Sequence, residues 1–264
     1  MSAIRATSAV SSPYFLAGAI DEVPELLADS YRLRYQVYCV ERGFLPADAC
    51  RDGIERDEFD AHALHIAAFD PHGEMAGTVR LVRQSELGLP MFRRCTLFPD
   101  DDRFCAANTR LVEIGRLCVS RQYRRRRTDA GDHVVPRRSG DYRGGERRRH
   151  RDEIFLTMTK ALYHETKRIG ASHWLVATEK SLQRMLAQHG FSFRVIGPET
   201  DYFGPVAPYQ LDIAELDQAI VSGRFPSLAD FLTGLEPELR PQPAAAASAA
   251  TERARPVAST VGAL

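Results

Sequence analysis

The chain is short of lysine: of its 35 basic residues, all but Lys160, Lys167 and Lys180 are Arg. The bland source of an Arg- and Ala-heavy chain is a GC-rich coding sequence. Net charge is also lacking, since 35 acidic residues meet the 35 basic ones, so bulk charge singles out no partner. Five cysteines (39, 50, 95, 105 and 118) include no Cys-x-x-Cys pair. The odd count and the lack of zinc spacing favour a reducing cytosol over a disulfide framework, and no metal is expected. No apolar run reaches bilayer length, and the N-terminus has no basic region leading into a long apolar stretch. The expectation is a cytoplasmic protein with neither a membrane span nor a signal peptide. What is present is ordinary: 264 residues, 44% hydrophobic and 27% charged, long enough for the core of one large domain.

Hydrophobic periodicity orders the chain. Residues 1–18, small and polar, read as a loose leader. Val23, Leu26, Leu27, Tyr31, Tyr35 and Tyr38 recur at helical spacing and predict a helix over 20–42, on which Arg34 and Tyr38 share a face. The loop over 43–61 ends in the acidic run Asp57-Glu58-Phe59-Asp60. Strands follow at 62–70 and 75–82 around the hairpin signal Pro71-His72-Gly73. Arg80 lies between Val79 and Leu81, and an Arg inside an apolar strand needs a carboxylate partner. Asp57 and Asp60 are the nearest in sequence. Residues 84–109 are irregular and read as cover for a core.

The stretch 110–120, RLVEIGRLCVS, is apolar and β-prone yet carries one Glu and two Arg. Strict alternation puts Leu111, Glu113, Gly115 and Leu117 on one face and sends Glu113 and Arg116 opposite ways. Gly115, between them, is the mark of a bulge. A bulge turns both charged groups into one cleft and splays the strand from its neighbour. Cys118 on this strand reads as a small buried residue rather than a nucleophile, as no His stands in a partner motif.

Residues 121–151 break the pattern with twelve Arg against four acids, a net of +8 with His neutral. This is a mobile, solvated surface loop or a patch that steers an acidic partner. Clustered Arg also leaves nucleic-acid binding open as an alternative. Against it, only Tyr123 and Tyr142 interleave the run, and no helix-turn-helix or zinc spacing is present. A helix is predicted over 152–169, ended by Gly170. A strand over 172–178, a helix over 179–189, a strand over 191–196, a loop over 197–208 and a strand over 209–213 follow. Two short helices near 214–222 and 227–235 precede a Pro-, Ala- and Ser-rich tail, 236–264, read as disordered. Residues 19–235 make one α/β domain with a mixed sheet flanked by helices.

That order resembles the GNAT-like N-acyltransferase fold, with a single mixed, splayed sheet. The charged positions resemble the acyl-homoserine-lactone synthases and the related N-acyl amino acid synthases. Arg34 and the aromatic Tyr38 stand on a helix, the aromatic Phe44 follows, then Asp57 and Asp60 three apart, Arg80 on a strand, and Glu113-x-x-Arg116 on the central strand. Phe44 and Tyr38 replace the Trp and Phe of the homoserine-lactone synthases, which argues against S-adenosylmethionine and lactone formation. The run from Val176 to Ile213, with its Ile196-Gly197-Pro198 turn and Pro208-Tyr209, resembles the PEP-CTERM/exosortase system-associated acyltransferases. The likeness spans roughly residues 22–215.

Coenzyme-A-dependent members of the fold follow the central strand with a Gly-rich loop whose N–H groups cradle a pyrophosphate. Here Gln122-Tyr123 leads into Arg124, Arg125, Arg126 and Arg127, with no Gly before Gly131. The resemblance therefore implies acyl carrier protein as donor and partner, with acyl-coenzyme A less favoured and no permanently bound cofactor. Arg124–Arg127 would dock the carrier. Glu113 would be the general base and Arg116 would orient it or hold a substrate carboxylate. Arg34, Tyr38, Phe44, Asp57, Asp60 and Arg80 would shape the pocket for an amino acid or similar small amine. A carrier-binding protein without catalytic activity stays open beside the enzyme.

Overall fold

The computed structural model describes residues 9–46, 48, 50, 52–99, 110–124, 144–202 and 204–242, without the side chains of 144–151. Among these residues the frame is a nine-stranded sheet. Its strands are β1 (Val10–Ser11), β2 (Leu16–Ala19), β3 (Ala63–Phe69), β4 (Met75–Arg83), β5 (Leu111–Val119), β6 (His173–Thr178), β7 (Arg194–Val195), β8 (Thr200–Asp201) and β9 (Pro205–Asp212). Their order is β1-β2-β3-β4-β5-β6-β9-β7, with β8 also on β9. Every pairing is antiparallel except β5 with β6. The leader expected over 1–18 is thus partly sheet, because Leu16–Ala19 adds to the edge of β3 from Phe69 to Ile66.

Alternation along the strands gives the sheet two unlike faces. On one, Ile66, Val79, Leu81, Val112 and Trp174 meet Ile154, Phe155, Met158 and Leu162 of the long helix α4 (Gly144–Ile169) in the main core. Gly77 on β4 permits this approach: a Cβ there would lie 2.8 Å from the Cys118 carbonyl and 3.1 Å from the Met158 methyl. The other face carries His65, Arg80 and Glu113, all buried, under α1 (Pro24–Tyr35), the 3-10 turn Glu58–His62 and the short helix α2 (Pro90–Arg94). The loop expected over 43–61 therefore closes in a helical turn.

Three further differences bear on the site. The helix predicted over 20–42 is regular only to Tyr35; Gln36–Glu41 then winds as a π-helical turn. Such wide turns re-aim side chains, and this one carries Tyr38. The Arg-rich stretch is in part helical: α3 (Arg121–Arg124) follows β5, and α4 begins at Gly144 rather than at 152. Arg125, Arg126 and Arg127 lie outside the described residues. In the C-terminal part, β9 starts at Pro205, earlier than the predicted 209, and only Arg194–Val195 of the strand expected over 191–196 pairs. Helix α5 (Lys180–Gln188) stands as predicted, α6 (Ile213–Val221) caps the sheet, and only 3-10 turns follow at Pro226–Leu228 and Pro237–Leu239.

Candidate active site

The bulge sits at Arg116, one residue beyond Gly115. Gly115 pairs with Arg80 and Cys118 with Thr78, so two residues of β5 oppose Val79 alone. Arg116 has φ +54°, the left-handed region, and is the only non-Gly residue there among those described. The extra residue shifts the alternation. Leu117 and Val119 turn onto the α4 core, contrary to the strict pattern, and Arg116 joins Glu113 on the charged face. The parallel ladder to β6 stops at Glu113–Leu175 although both strands run on. The sheet is splayed there, and a cavity of about 640 Å³ passes through the gap. Its charged end holds Arg80, Glu113, Arg116, Tyr38 and Phe44. Its apolar arm runs between α4 and α5, past Phe155, Met158, Trp174, Leu182 and Phe191.

Glu113 is 5% exposed and accepts a hydrogen bond from the Met91 N–H at 2.7 Å, within the first turn of α2. Burial pushes its carboxyl up to about 7, against the pull of that N–H and of the Arg80 and Arg116 guanidiniums. It is therefore poised to exchange a proton near neutrality.

Arg116 does not hold Glu113. Its Nε donates to Glu55 Oε1 at 3.0 Å and its Nη2 to Asp57 Oδ2 at 3.1 Å. Its guanidinium lies 5.5 Å from the centre of the Tyr38 ring. The expectation that it orients the base is corrected here: the left-handed residue throws the guanidinium toward the loop acids, and the backbone of α2 meets Glu113 instead. Tyr38 donates its hydroxyl to the Leu117 carbonyl at 3.3 Å and packs 6.0 Å from Phe44.

The remaining predicted residues converge on Asp60. Arg34 Nη1 and Nη2 donate to its two oxygens at 2.6 and 3.0 Å, and Arg34 Nε reaches Glu55 Oε2 at 2.5 Å. Arg80 Nη1 bridges Asp57 Oδ1 at 2.5 Å and Asp60 Oδ1 at 2.8 Å, while its Nη2 reaches Asp57 Oδ2 at 3.1 Å. Asp57 and Asp60 also cap the 3-10 turn reciprocally, Asp57 accepting from the Phe59 N–H and Asp60 from the Asp57 N–H. Against the cost of burial, hydrogen bonds from His65 and Arg34 and the nearby Arg80 hold the Asp60 carboxyl well below the usual range.

Glu55 and His65 escaped the sequence reading. Glu55 looks like a solvated loop acid between Ile54 and Arg56, yet it is 2% exposed. The signal was arithmetic: three inward arginines cannot be balanced by two aspartates. His65 is opposite Arg80 in the β3–β4 register.

Arg124 lines the cavity rim, donating to the Glu41 carboxylate and to the Val119 carbonyl. It is tied into the fold, contrary to a purely docking role. Cys118 is 1% exposed, is not among the residues around the cavity, and burial pushes its thiol up to about 12, so it is no nucleophile. Among the described residues no cluster of His, Cys, Asp and Glu is arranged to hold a metal ion, and no helix is long and apolar enough to cross a membrane.

Residues 33–131 match the acetyltransferase (GNAT) domain family. The fold is that of a GNAT acyltransferase. Among solved structures, the GNAT fold here aligns with the AHL synthase LasI at 15% identity, over 78% of this chain and 92% of that one, with a TM-score of 0.50. It aligns with TofI, in a ternary complex with an inhibitor and MTA, at 19% identity over 85% and 98% of the two chains, TM-score 0.51. FeeM, an N-acyl amino acid synthase from uncultured soil microbes, aligns at 14% identity over 79% and 96%, TM-score 0.48. No curated protein matches the sequence.

Proposed function

We propose that this GNAT protein moves a fatty acyl group from a thioester to the amine of an amino acid or a similar small amine. The carrying observation is the cavity through the splayed sheet, which joins a carboxyl poised near neutrality to an apolar arm. In the reaction the amine nitrogen attacks the thioester carbon, forming C–N. Glu113, directly or through a water, takes the ammonium proton, the C–S bond breaks, and the thiolate leaves with that proton returned. General-base help of this kind is worth ~10²–10⁴-fold. Backbone N–H groups of β5 beyond the end of the β6 ladder would meet the developing oxyanion. Tyr38, Phe44 and Arg116 would bound the acceptor end, with Arg34, Asp57, Asp60 and Arg80 fixing its shape.

Acyl carrier protein remains the preferred donor over coenzyme A. The stretch after β5 lacks the glycines of a pyrophosphate cradle, and its Arg run suits an acidic carrier. The C-terminal motifs support placing the chain with the PEP-CTERM/exosortase-associated acyltransferases.

The test supplies the full chain with acyl carrier protein or coenzyme A loaded with acyl groups of graded length, plus an amino-acid mixture, and reads new amides by mass spectrometry. Amide from the carrier-bound donor is expected. Hydrolysis alone, or no turnover with either donor, would remove the assignment.

A further inference from the structure

His65 is a charged-looking residue in an apolar strand, 2% exposed, and both of its ring nitrogens are occupied by carboxylates. Nδ1 lies 2.7 Å from Asp21 Oδ1 and Nε2 lies 3.0 Å from Asp60 Oδ1. A neutral imidazole has one N–H and one lone pair, so it can satisfy only one of two ionised carboxylates. The other nitrogen would face a carboxylate oxygen lone pair to lone pair. Two acceptors on one ring call for two N–H groups, which is the imidazolium.

The groups around the ring agree with that. α1 presents Tyr31, edge-on at 5.5 Å between ring centres, and Arg34. β4 presents Arg80 from the opposite register position. The 3-10 turn presents Asp60 with Asp57 behind it, and the turn after β2 presents Asp21, which also accepts from the His65 backbone N–H at 2.9 Å. Arg34, Arg80 and Arg116 carry three positive charges against Glu55, Asp57 and Asp60. Asp21, 29% exposed, adds a fourth negative charge, and a charged His65 pairs with it at 2.7 Å. Asp60 is the hub of this set: its Oδ1 accepts from Arg34, Arg80 and His65 together. Whatever fixes Asp60 fixes Arg80, and through Asp57 it fixes Arg116 at the cavity wall.

We propose that His65 is a positioning residue for the acyl-transfer site: a buried imidazolium, anchored by Asp21, that acts through Asp60 to hold Arg80 and Arg116 at the charged end of the cavity. The term acyl-transfer rests on the function proposed above, whereas the charge and the positioning do not. Burial works against the charged ring, and the hydrogen bonds it donates to both aspartates outweigh that cost and raise its pKa. As the pH rises far enough to remove that proton, the clamp opens and the arginines lose their fixed aim.

The experiment uses the full chain labelled with ¹⁵N at His and Arg, in wild type, His65→Gln and Asp21→Asn. Gln keeps a donor toward Asp60 but cannot carry charge. Of the eight histidines, one is expected to keep both ring N–H groups at pH 7, where exposed imidazoles are mostly neutral, and to vanish in His65→Gln. The Arg34 and Arg116 Nε–H signals, assigned by Lys substitution, are expected to be sharp in wild type and to shift or broaden in His65→Gln while that of Arg168 stays put. Should His65→Gln fail to fold, Asp21→Asn carries the test: the same two signals change at lower pH than in wild type.

With decanoyl-loaded acyl carrier protein and a mixture of the twenty amino acids, kcat is expected to fall at least ~10-fold in folded His65→Gln, the loss extending to lower pH than in wild type. A neutral His65 at pH 7, or unmoved arginine signals in a folded variant, overturns the proposal. No turnover in wild type removes the reaction, and the arginine signals then decide the positioning alone.

Discussion

Two sets of ion pairs hold this molecule together, and they differ in almost everything except Coulomb's law. On the charged face of the sheet, Arg34, Arg80, Glu55 and Asp60 pair with side chains 1–6% exposed. Along α4, Lys160–Asp230, Lys167–Asp217 and Arg168–Glu236 tie α6 and the C-terminal turns to the helix, with Asp230 63% and Glu236 36% exposed. The outer pairs are a strap of small local groups, Arg168 meeting Glu165 as well as Glu236 and Asp217 accepting from Tyr163 as well as Lys167, and water reaches them at Asp230 and Glu236. The inner set is a network, with Asp60 on three cations at once, and no member can leave without stranding a desolvated charge. A purely structural clamp needs nothing more than the strap. The inner set adjoins a cavity and a carboxyl that it leaves out, which fits a site held to a fixed shape.

Breaking the hub gives the largest effect. Asp60→Ala should cost roughly 3–5 kcal/mol in chemical denaturation, since two buried guanidiniums and His65 lose their shared acceptor. Linkage gives the sign with pH. The depressed Asp60 carboxyl contributes stability that is present above its ordinary value near 3.8 and is lost as pH falls below it. The raised His65 contributes stability present below its ordinary 6.5 and lost as pH rises through its folded value.

Glu113→Gln sharpens the contrast between the network and the acid it excludes. Amide formation should drop ~10²–10⁴-fold with the fold intact, because the Gln carbonyl can still accept from Met91. In wild type kcat/KM should climb with pH through about 7, and the variant should lose that limb. The raised Glu113 carboxyl contributes stability that is full below its ordinary value near 4.5 and is lost as pH rises through about 7. The variant should therefore melt higher than wild type at pH 8 by calorimetry.

Filling the apolar arm is a smaller intervention. Leu182→Trp should reduce transfer of long acyl chains ~10-fold or more while short chains are spared, read as kcat/KM against chain length. The strap gives the least: Arg168→Ala should change stability by no more than about 1 kcal/mol and leave transfer untouched.

The six charged residues picked from the sequence do lie on one face of the sheet. Asp57 and Asp60 were legible as the carboxylates nearest Arg80 in sequence and through the family resemblance, the arginines and Glu113 because a charged side chain inside an apolar helix or strand advertises its own burial. Arg80 between Val79 and Leu81 is the clearest instance. Their partners were less legible. Glu55 lies in a loop whose local composition matches any solvated loop, and its burial is decided by α1 and β5, which are distant in sequence. His65 is one polar residue in a strand, and only the β2–α1 turn supplies its second carboxylate. Pro205 and Pro208 read as turn residues, which hid most of β9. The bulge was foreseen from Gly115, but its seat at Arg116 was not: the ion pairs of Arg116 with Glu55 and Asp57 offset a backbone conformation that glycine would adopt more readily.

That left-handed residue sets the parity of everything after it. Drawn straight, the strand would swing Cys118 under α4 and expose the hydrophobes at 117 and 119 to the acids on the far side. The Leu117 carbonyl on which Tyr38 hangs would move with them. A single torsion, at one arginine, thus decides both which side of the sheet is greasy and where the aromatic wall of the pocket is nailed down.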